Sequence, residues 1–222
     1  MKKRNAVATL LMLMAVFVFT EVPGGFREIT SKDDADLKRL AEHIKLTSSY
    51  EADFVQERHL ALFKDVLKST GKIYFEVPDK LRWEITDPYV SLLVSSNGQV
   101  ARFTSEENRL KKMDLGNQEM FQQIIQEMTG IMRGDFQALF SQYRILLSQS
   151  MNHLMLLPRS KDLQKSIASL EFSIESDSGK VTQVIIREPE KDFVQIQFQN
   201  TKENVKLDPA IFSLQAPTPP TR

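Results

Sequence analysis

Residues 69–85 read STGKIYFEVPDKLRWEI, and this stretch decides the fold. Gly71, Ile73, Phe75 and Val77 alternate with Lys72, Tyr74 and Glu76. Pro78-Asp79 then breaks the run, after which Leu81, Trp83 and Ile85 alternate with Arg82 and Glu84. Period-two alternation places one residue set on each face of a strand, so the stretch predicts two adjacent antiparallel strands joined by a tight turn.

The same period extends outward in both directions. Upstream, from Ser49, Tyr50, Ala52 and Phe54 alternate with Glu51, Asp53 and Val55. Downstream, Val90 to Ser95 is a nearly continuous apolar strand, and Asn97-Gly98 is a strong hairpin signal from which Gln99 to Thr104 returns. Glu106-Glu107-Asn108 makes a further turn. Later strands are predicted near Tyr143–Leu147, His153–Leu157, Ile167–Ser176, Val181–Arg187 and Phe193–Asn200, with a turn at Ser178-Gly179.

Helical periodicity occurs in three places. Ser31 is positioned to cap a first helix with Asp33, Asp34 and Asp36 near its positive end, and Leu37, Leu40, Ala41 and Ile44 form its stripe. Met120, Phe121, Ile124, Ile125 and Met128 make a wide apolar face between Asn117 and Gly130. A shorter helix is expected over Asp135 to Gln142, with Phe136, Leu139 and Phe140 on one side. The expected class is mainly β with helices (α+β): a meandering antiparallel sheet with one apolar face, covered by helices.

Composition bounds the function. Lys+Arg and Asp+Glu both total 29, so no strong field steers the chain to nucleic acid. Lys2, Lys3 and Arg4 precede a short apolar run from Ala6 to Phe19, the layout of a secretory signal peptide. That run is shorter than the roughly 20 residues a membrane helix needs. No A-x-A site follows, which leaves an uncleaved N-terminal anchor as the rival reading; a cut after Val22 would remove three basic residues and Glu21, leaving net −2. The expected organisation is a signal peptide at 1–22, a linker at 23–30, one domain at 31–216 and a flexible Pro-rich tail at 217–222. The absence of cysteine excludes disulfides, thiolate chemistry, Cys-ligated zinc and a lipobox cysteine.

Catalytic signals are weak. His43, His59 and His153 lack ligand spacing and read as surface or structural residues. Glu51, Asp53 and Glu57 read as a solvated strand face rather than a carboxylate pair for glycoside chemistry. Lys111-Lys112 and the Lys161–Lys165 region read as ordinary surface charge. No G-x-S-x-G, P-loop or dinucleotide fingerprint is present, so no enzymatic activity, cofactor or metal is expected.

The order Phe54-Val55-Gln56, Gly71-Lys72-Ile73-Tyr74-Phe75, Pro78, Leu81-Arg82-Trp83 and Pro88, with the strand Val90–Ser95 and Asn97-Gly98, resembles the LolA family of lipoprotein carriers. Leu156-x-Pro158, Leu163 to Ile167 and Asp208-Pro209-Ala210-Ile211-Phe212-Ser213 extend the resemblance over about residues 31 to 216. It implies an open half-barrel antiparallel sheet with a helical lid over an apolar cavity. It also implies a periplasmic carrier in a Gram-negative bacterium. Such a carrier takes acylated lipoproteins from an inner-membrane ABC exporter and passes them to an outer-membrane acceptor lipoprotein, acting as a monomer.

Under that resemblance the cargo cavity falls to Ile73, Phe75, Val77, Leu81, Trp83 and Ile85 on the sheet and to Met120, Phe121, Ile124, Ile125 and Met128 on the lid. An acyl chain gains roughly 0.8 kcal/mol per buried CH₂, so such a site needs apolar area rather than polar contacts. Methionine side chains repack readily around variable cargo. One position departs: the family's arginine before the strand-ending proline is Val77 here. That departure keeps open a carrier of another lipid or polyene cargo, or a lipid-sensing or interaction module on the same scaffold. A hydrolase without recognisable motifs is the remaining reading.

Overall fold

The computed structural model describes residues 24–44, 47–106, 109–114, 129–131, 134–136, 138–175 and 178–215. Twelve strands form one antiparallel sheet: β1 (Phe26–Ile29), β2 (Ser49–His59), β3 (Leu67–Glu76), β4 (Lys80–Asp87), β5 (Ser91–Ser96), β6 (Gln99–Glu106), β7 (Arg109–Met113), β8 (Tyr143–Ser148), β9 (His153–Pro158), β10 (Ser169–Ile174), β11 (Val181–Arg187) and β12 (Phe193–Glu203). The order across the sheet is β1-β8-β9-β10-β11-β12-β2-β3-β4-β5-β6-β7. Two meanders, β2–β7 and β8–β12, are thus sewn together where the last strand pairs with β2, Phe198 opposite Phe54. β1 and β7 are its edges, so the sheet is open.

The stretch 69–85 forms β3 and β4, with Ile73 opposite Trp83 and Phe75 opposite Leu81. In β3 the alternation is strict from Ser69 onward, with Gly71, Ile73 and Phe75 buried and their neighbours half-exposed. The polar face is laced by cross-strand pairs. Lys72 donates to Asp53 at 2.8 Å, Lys202 to Glu51 at 3.2 Å, and Lys68 lies 3.5 Å from Glu57. These are the carboxylates that read as a solvated face.

β5 carries the apolar run Leu92-Leu93-Val94 on consecutive positions because both its faces are covered. Leu93 packs toward the main core, while Leu92 and Val94 join a second cluster with Ala101, Phe103, Leu207 and Phe212. That second cluster lies on the outer face, under the chain that returns after β12 and ends in a 3₁₀ turn, Pro209–Phe212.

The main core collects β2, β3, β4 and β8 to β12 on the inner face around helix α1 (Ala35–Ile44), whose stripe Leu37, Leu40 and Ile44 is buried. Two further short helices are α2 (Leu139–Gln142) and α3 (Lys161–Gln164).

Three sequence expectations are corrected, and one strand carried no expectation. The segment read as a linker contains β1, which pairs along β8 and ties Glu28 to Arg144 at 2.8 Å. Four residues are too few to show a period, and the strand is secured by its partner. Asp34, not Ser31, caps α1: its Oδ1 accepts the N–H groups of Asp36 and Leu37, whereas Ser31 Oγ accepts only that of Asp33. The helix expected over Asp135 to Gln142 is shortened to α2, because Gly134 is left-handed and Asp135 N–H donates to the Gly130 carbonyl. β7 carries four polar or exposed residues in five and gave no apolar alternation to read.

Candidate functional site

The inner face holds a cavity of about 740 Å³, within the roughly 300–1,000 Å³ of small-ligand sites. Its floor comes from Leu81, Trp83 and Leu93 on one flank, and from Leu170, Phe172, Val184, Ile186, Val194 and Ile196 on the other. β5 and β10 stand six strand spacings apart in the sheet order, roughly 29 Å if flat, so one cavity touching both requires the sheet to curl around it. A smaller adjoining cavity of about 60 Å³ shares Ile131, Phe172 and Val184 and is otherwise lined by residues including Ile44, Tyr50, Ile73 and Phe198.

An aromatic group lies at the centre of this face. Phe54 stacks on Trp83 with ring centroids 4.1 Å apart, and Phe198 meets Trp83 edge-on at 6.4 Å and Tyr50 at 6.2 Å. Burial pushes the Tyr50 phenol up to about 12, with Thr201 offsetting part of the effect, so the group stays a neutral hydroxyl.

The charged residues that line the cavity, Arg58, Lys165, Glu188, Glu190 and Asp192, are all partly or fully exposed, and most have a polar partner. Arg58 donates to Glu188 at 3.0 Å, Lys165 to Asp162 at 2.7 Å, and Asp192 accepts the Ala61 N–H at 2.7 Å. Arg187 sits over the Phe193 ring, which stacks on His59 at 4.1 Å. Among the described residues no group of His, Asp and Glu is placed to hold a metal. His153 is exposed beside Asn152.

The structure distributes the sheet residues expected at the cavity as follows. Leu81 and Trp83 line the large cavity and Ile73 the small one. Phe75 is wholly buried beneath, and Ile85 packs against the core without lining either cavity. Val77 lies one residue past β3, is 36% exposed and lines neither cavity; its N–H donates to the Ser48 carbonyl. Its place in the inner-face series ends because the strand ends. Arg82 points to the outer face, donating to Glu84 and the Ile211 carbonyl. Met120, Phe121, Ile124, Ile125 and Met128 lie outside the described residues. Thr129, Gly130 and Ile131 are helical, and Ile131, 2% exposed, reaches both cavities.

Sequence reasoning found the strands β10 to β12 but assigned none of their residues to the cavity, although they supply six of the nine floor residues named above. The signal was the alternation Leu170, Phe172, then Val184, Ile186, then Val194, Ile196. What it lacked was the partner face.

An open antiparallel sheet curled around a largely apolar cavity defines the structural class of this chain. Within that class the chain belongs to the LolA family: the sequence model described as "Outer membrane lipoprotein carrier protein LolA" matches residues 45–215. The chain is 24% identical over 182 residues to an outer-membrane lipoprotein carrier protein of Methylococcus capsulatus, covering 81% of this chain and 83% of that one. It is similar to the Pseudomonas aeruginosa MucA/MucB complex structure at TM-score 0.45 and 18% identity, covering 82% of this chain but 60% of that chain. A LolA superfamily protein from Nitrosomonas europaea matches at TM-score 0.40 and 6% identity, covering 80% and 97%.

Proposed function

We propose that the protein is a periplasmic carrier that shelters the acyl chains of lipoproteins in the 740 Å³ cavity and moves them from the inner to the outer membrane. The carrying observation is the cavity itself: a largely apolar lining whose charged members are all partly or fully exposed, in a chain of the LolA family. Each buried CH₂ of a guest contributes roughly 0.8 kcal/mol, so affinity scales with chain length and needs no catalytic group. Release requires loaded and empty states close in free energy. An inner-membrane exporter would load it and an outer-membrane acceptor would unload it. The N-terminal basic and apolar segment fits export as a signal peptide.

The test is native mass spectrometry of the protein purified from the periplasm, followed by lipid extraction. A bound acylated lipoprotein is expected. Trp83→Glu or Ile186→Glu places a charge on the cavity wall and should abolish cargo retention while leaving the fold. Retention unchanged in both variants would overturn the cavity assignment.

A second reading has the same cavity carrying a different lipid. It is favoured by Val77, which stands outside the cavity where the family resemblance implies an arginine. A non-protein lipid in the extract, together with altered transfer in Val77→Arg, would select it; no effect of Val77→Arg would show that the position does not hold a lid here.

A further inference from the structure

The loop between β2 and β3 reads Leu60-Ala61-Leu62-Phe63-Lys64-Asp65-Val66, and its apolar residues face water. Leu62 is 93% exposed and Phe63 67%, with Val66 and Leu67 exposed beside them. Single exposed apolar residues are ordinary, but four in six positions on one loop are not. The loop is held out rather than left to collapse. Phe63 N–H donates to the Leu60 carbonyl at 2.9 Å, and Ala61 N–H donates to Asp192 at 2.7 Å.

That second contact also fixes where the loop stands. Asp192, Glu188 and Arg58 are partly exposed residues of the large cavity's lining, so the loop that carries the apolar tip is tied to the cavity's edge. Lys64 and Lys68 flank the tip, with Asp65 between them; Lys68 lies 3.5 Å from Glu57, and Lys64 makes no ion pair among the described residues. Apolar and aromatic side chains at a tip with flanking lysines match the two layers of a bilayer surface, acyl chains beneath anionic headgroups.

We propose that this loop docks the protein on an anionic lipid bilayer, setting the cavity mouth at the membrane surface. Two inserted side chains and two lysines give a weak, reversible attachment, suited to a protein that must leave again. The site is separate from the cavity, and its test separates from that of cargo binding.

The probe is flotation of the full-length purified protein with vesicles of phosphatidylethanolamine and phosphatidylglycerol. Wild type should float with them. Leu62→Glu/Phe63→Glu should lower the bound fraction by roughly tenfold or more, since each side chain removed from lipid changes partitioning by about that factor. Lys64→Ala/Lys68→Ala should weaken binding at low salt and lose most of its effect at high salt. A chain carrying Trp83→Phe and Phe63→Trp has its one tryptophan at the tip, and its emission should shift to the blue on vesicle addition. Unchanged emission, or equal flotation of the Glu variant, would overturn the proposal. So would a photo-crosslinker at position 63 that captures a protein while wild type ignores vesicles. Circular dichroism and cargo retention should stay at wild-type level in the Leu62→Glu/Phe63→Glu and Lys64→Ala/Lys68→Ala variants; a wild-type protein that floats with vesicles but retains no cargo would count against the carrier reading instead.

Discussion

Gly71 stands directly opposite Phe54 on β2 and opposite Ile85 on β4, beside a register shift between Thr70 and Gly71. A β-carbon there would lie 1.9 Å from the Glu84 carbonyl oxygen and 2.7 Å from the end of the Phe54 ring. The missing side chain is therefore what lets Phe54 lie flat across β3 and stack on Trp83. Gly71→Val should cost about 2–4 kcal/mol, because backbone rather than a flexible side chain must move; urea unfolding measures it. Trp83 is the only tryptophan in the chain and lines the cavity, so its emission reports occupancy. Titration with a long-chain lysolipid should shift that emission to the blue, with no response to a short-chain analogue. A signal independent of chain length would argue against acyl burial beside the indole.

At the scale of elements, β1 and α1 are joined by one arginine. Arg27 donates to Asp34 at 2.6 and 2.8 Å and to Asp36 at 2.5 Å, while Asp34 also caps the helix. The hydrogen bonds from Arg27, aided by the N–H groups of Leu37 and Asp36, hold the Asp34 carboxyl at about 2, well below the usual 3.8. A depressed carboxylate stabilises the fold above its unfolded value and loses that contribution as pH falls through the folded one. The union of β1 and α1 should thus be intact above about pH 4 and weaken progressively toward pH 2. Asp34→Asn keeps an acceptor for the cap but removes the charge. Its stability should fall at neutral pH and lose less between pH 4 and 2, as read from denaturant midpoints against pH. β1 also covers the edge of β8. A chain lacking residues 24–29 should expose that edge and self-associate in sedimentation velocity, since an unpaired strand invites another.

For the whole molecule, the seam between β12 and β2 joins the end of the sheet to its beginning, and the chain after it crosses the outer face of β4 and β5. Phe212 and Leu207 close the outer cluster over Leu92, Val94 and Phe103, with Lys80 above the Phe212 ring. Phe212→Ala should cost about 3–5 kcal/mol, the usual range for emptying a buried aromatic site. The cavity lies on the opposite face, so cargo affinity measured on the folded fraction should be unchanged. Affinity lost in proportion to stability would show that the two faces are coupled through the sheet.

The alternation in residues 69–85 was enough to establish β3, β4, their turn and the buried set Ile73, Phe75 and Leu81, because a period of two leaves only two faces. The Asn97-Gly98 hairpin and the strands from Tyr143 onward were legible for the same local reason. The β1 edge strand was not, since a four-residue strand exists only through its partner. Nor was the cap of α1, where four candidate side chains lie within six residues and only three-dimensional placement selects Asp34. The cavity wall is the clearest division. Each strand of β10 to β12 shows two faces in the sequence, but which face meets Trp83 depends on the β12–β2 seam and the curl it imposes across more than a hundred residues. Val77 follows the inner-face alternation yet falls outside the cavity, because parity names a face and says nothing of where the strand stops. The chain's local chemistry determined that a sheet with one apolar face would form. Only tertiary pairing decided that this face would curl around an open space.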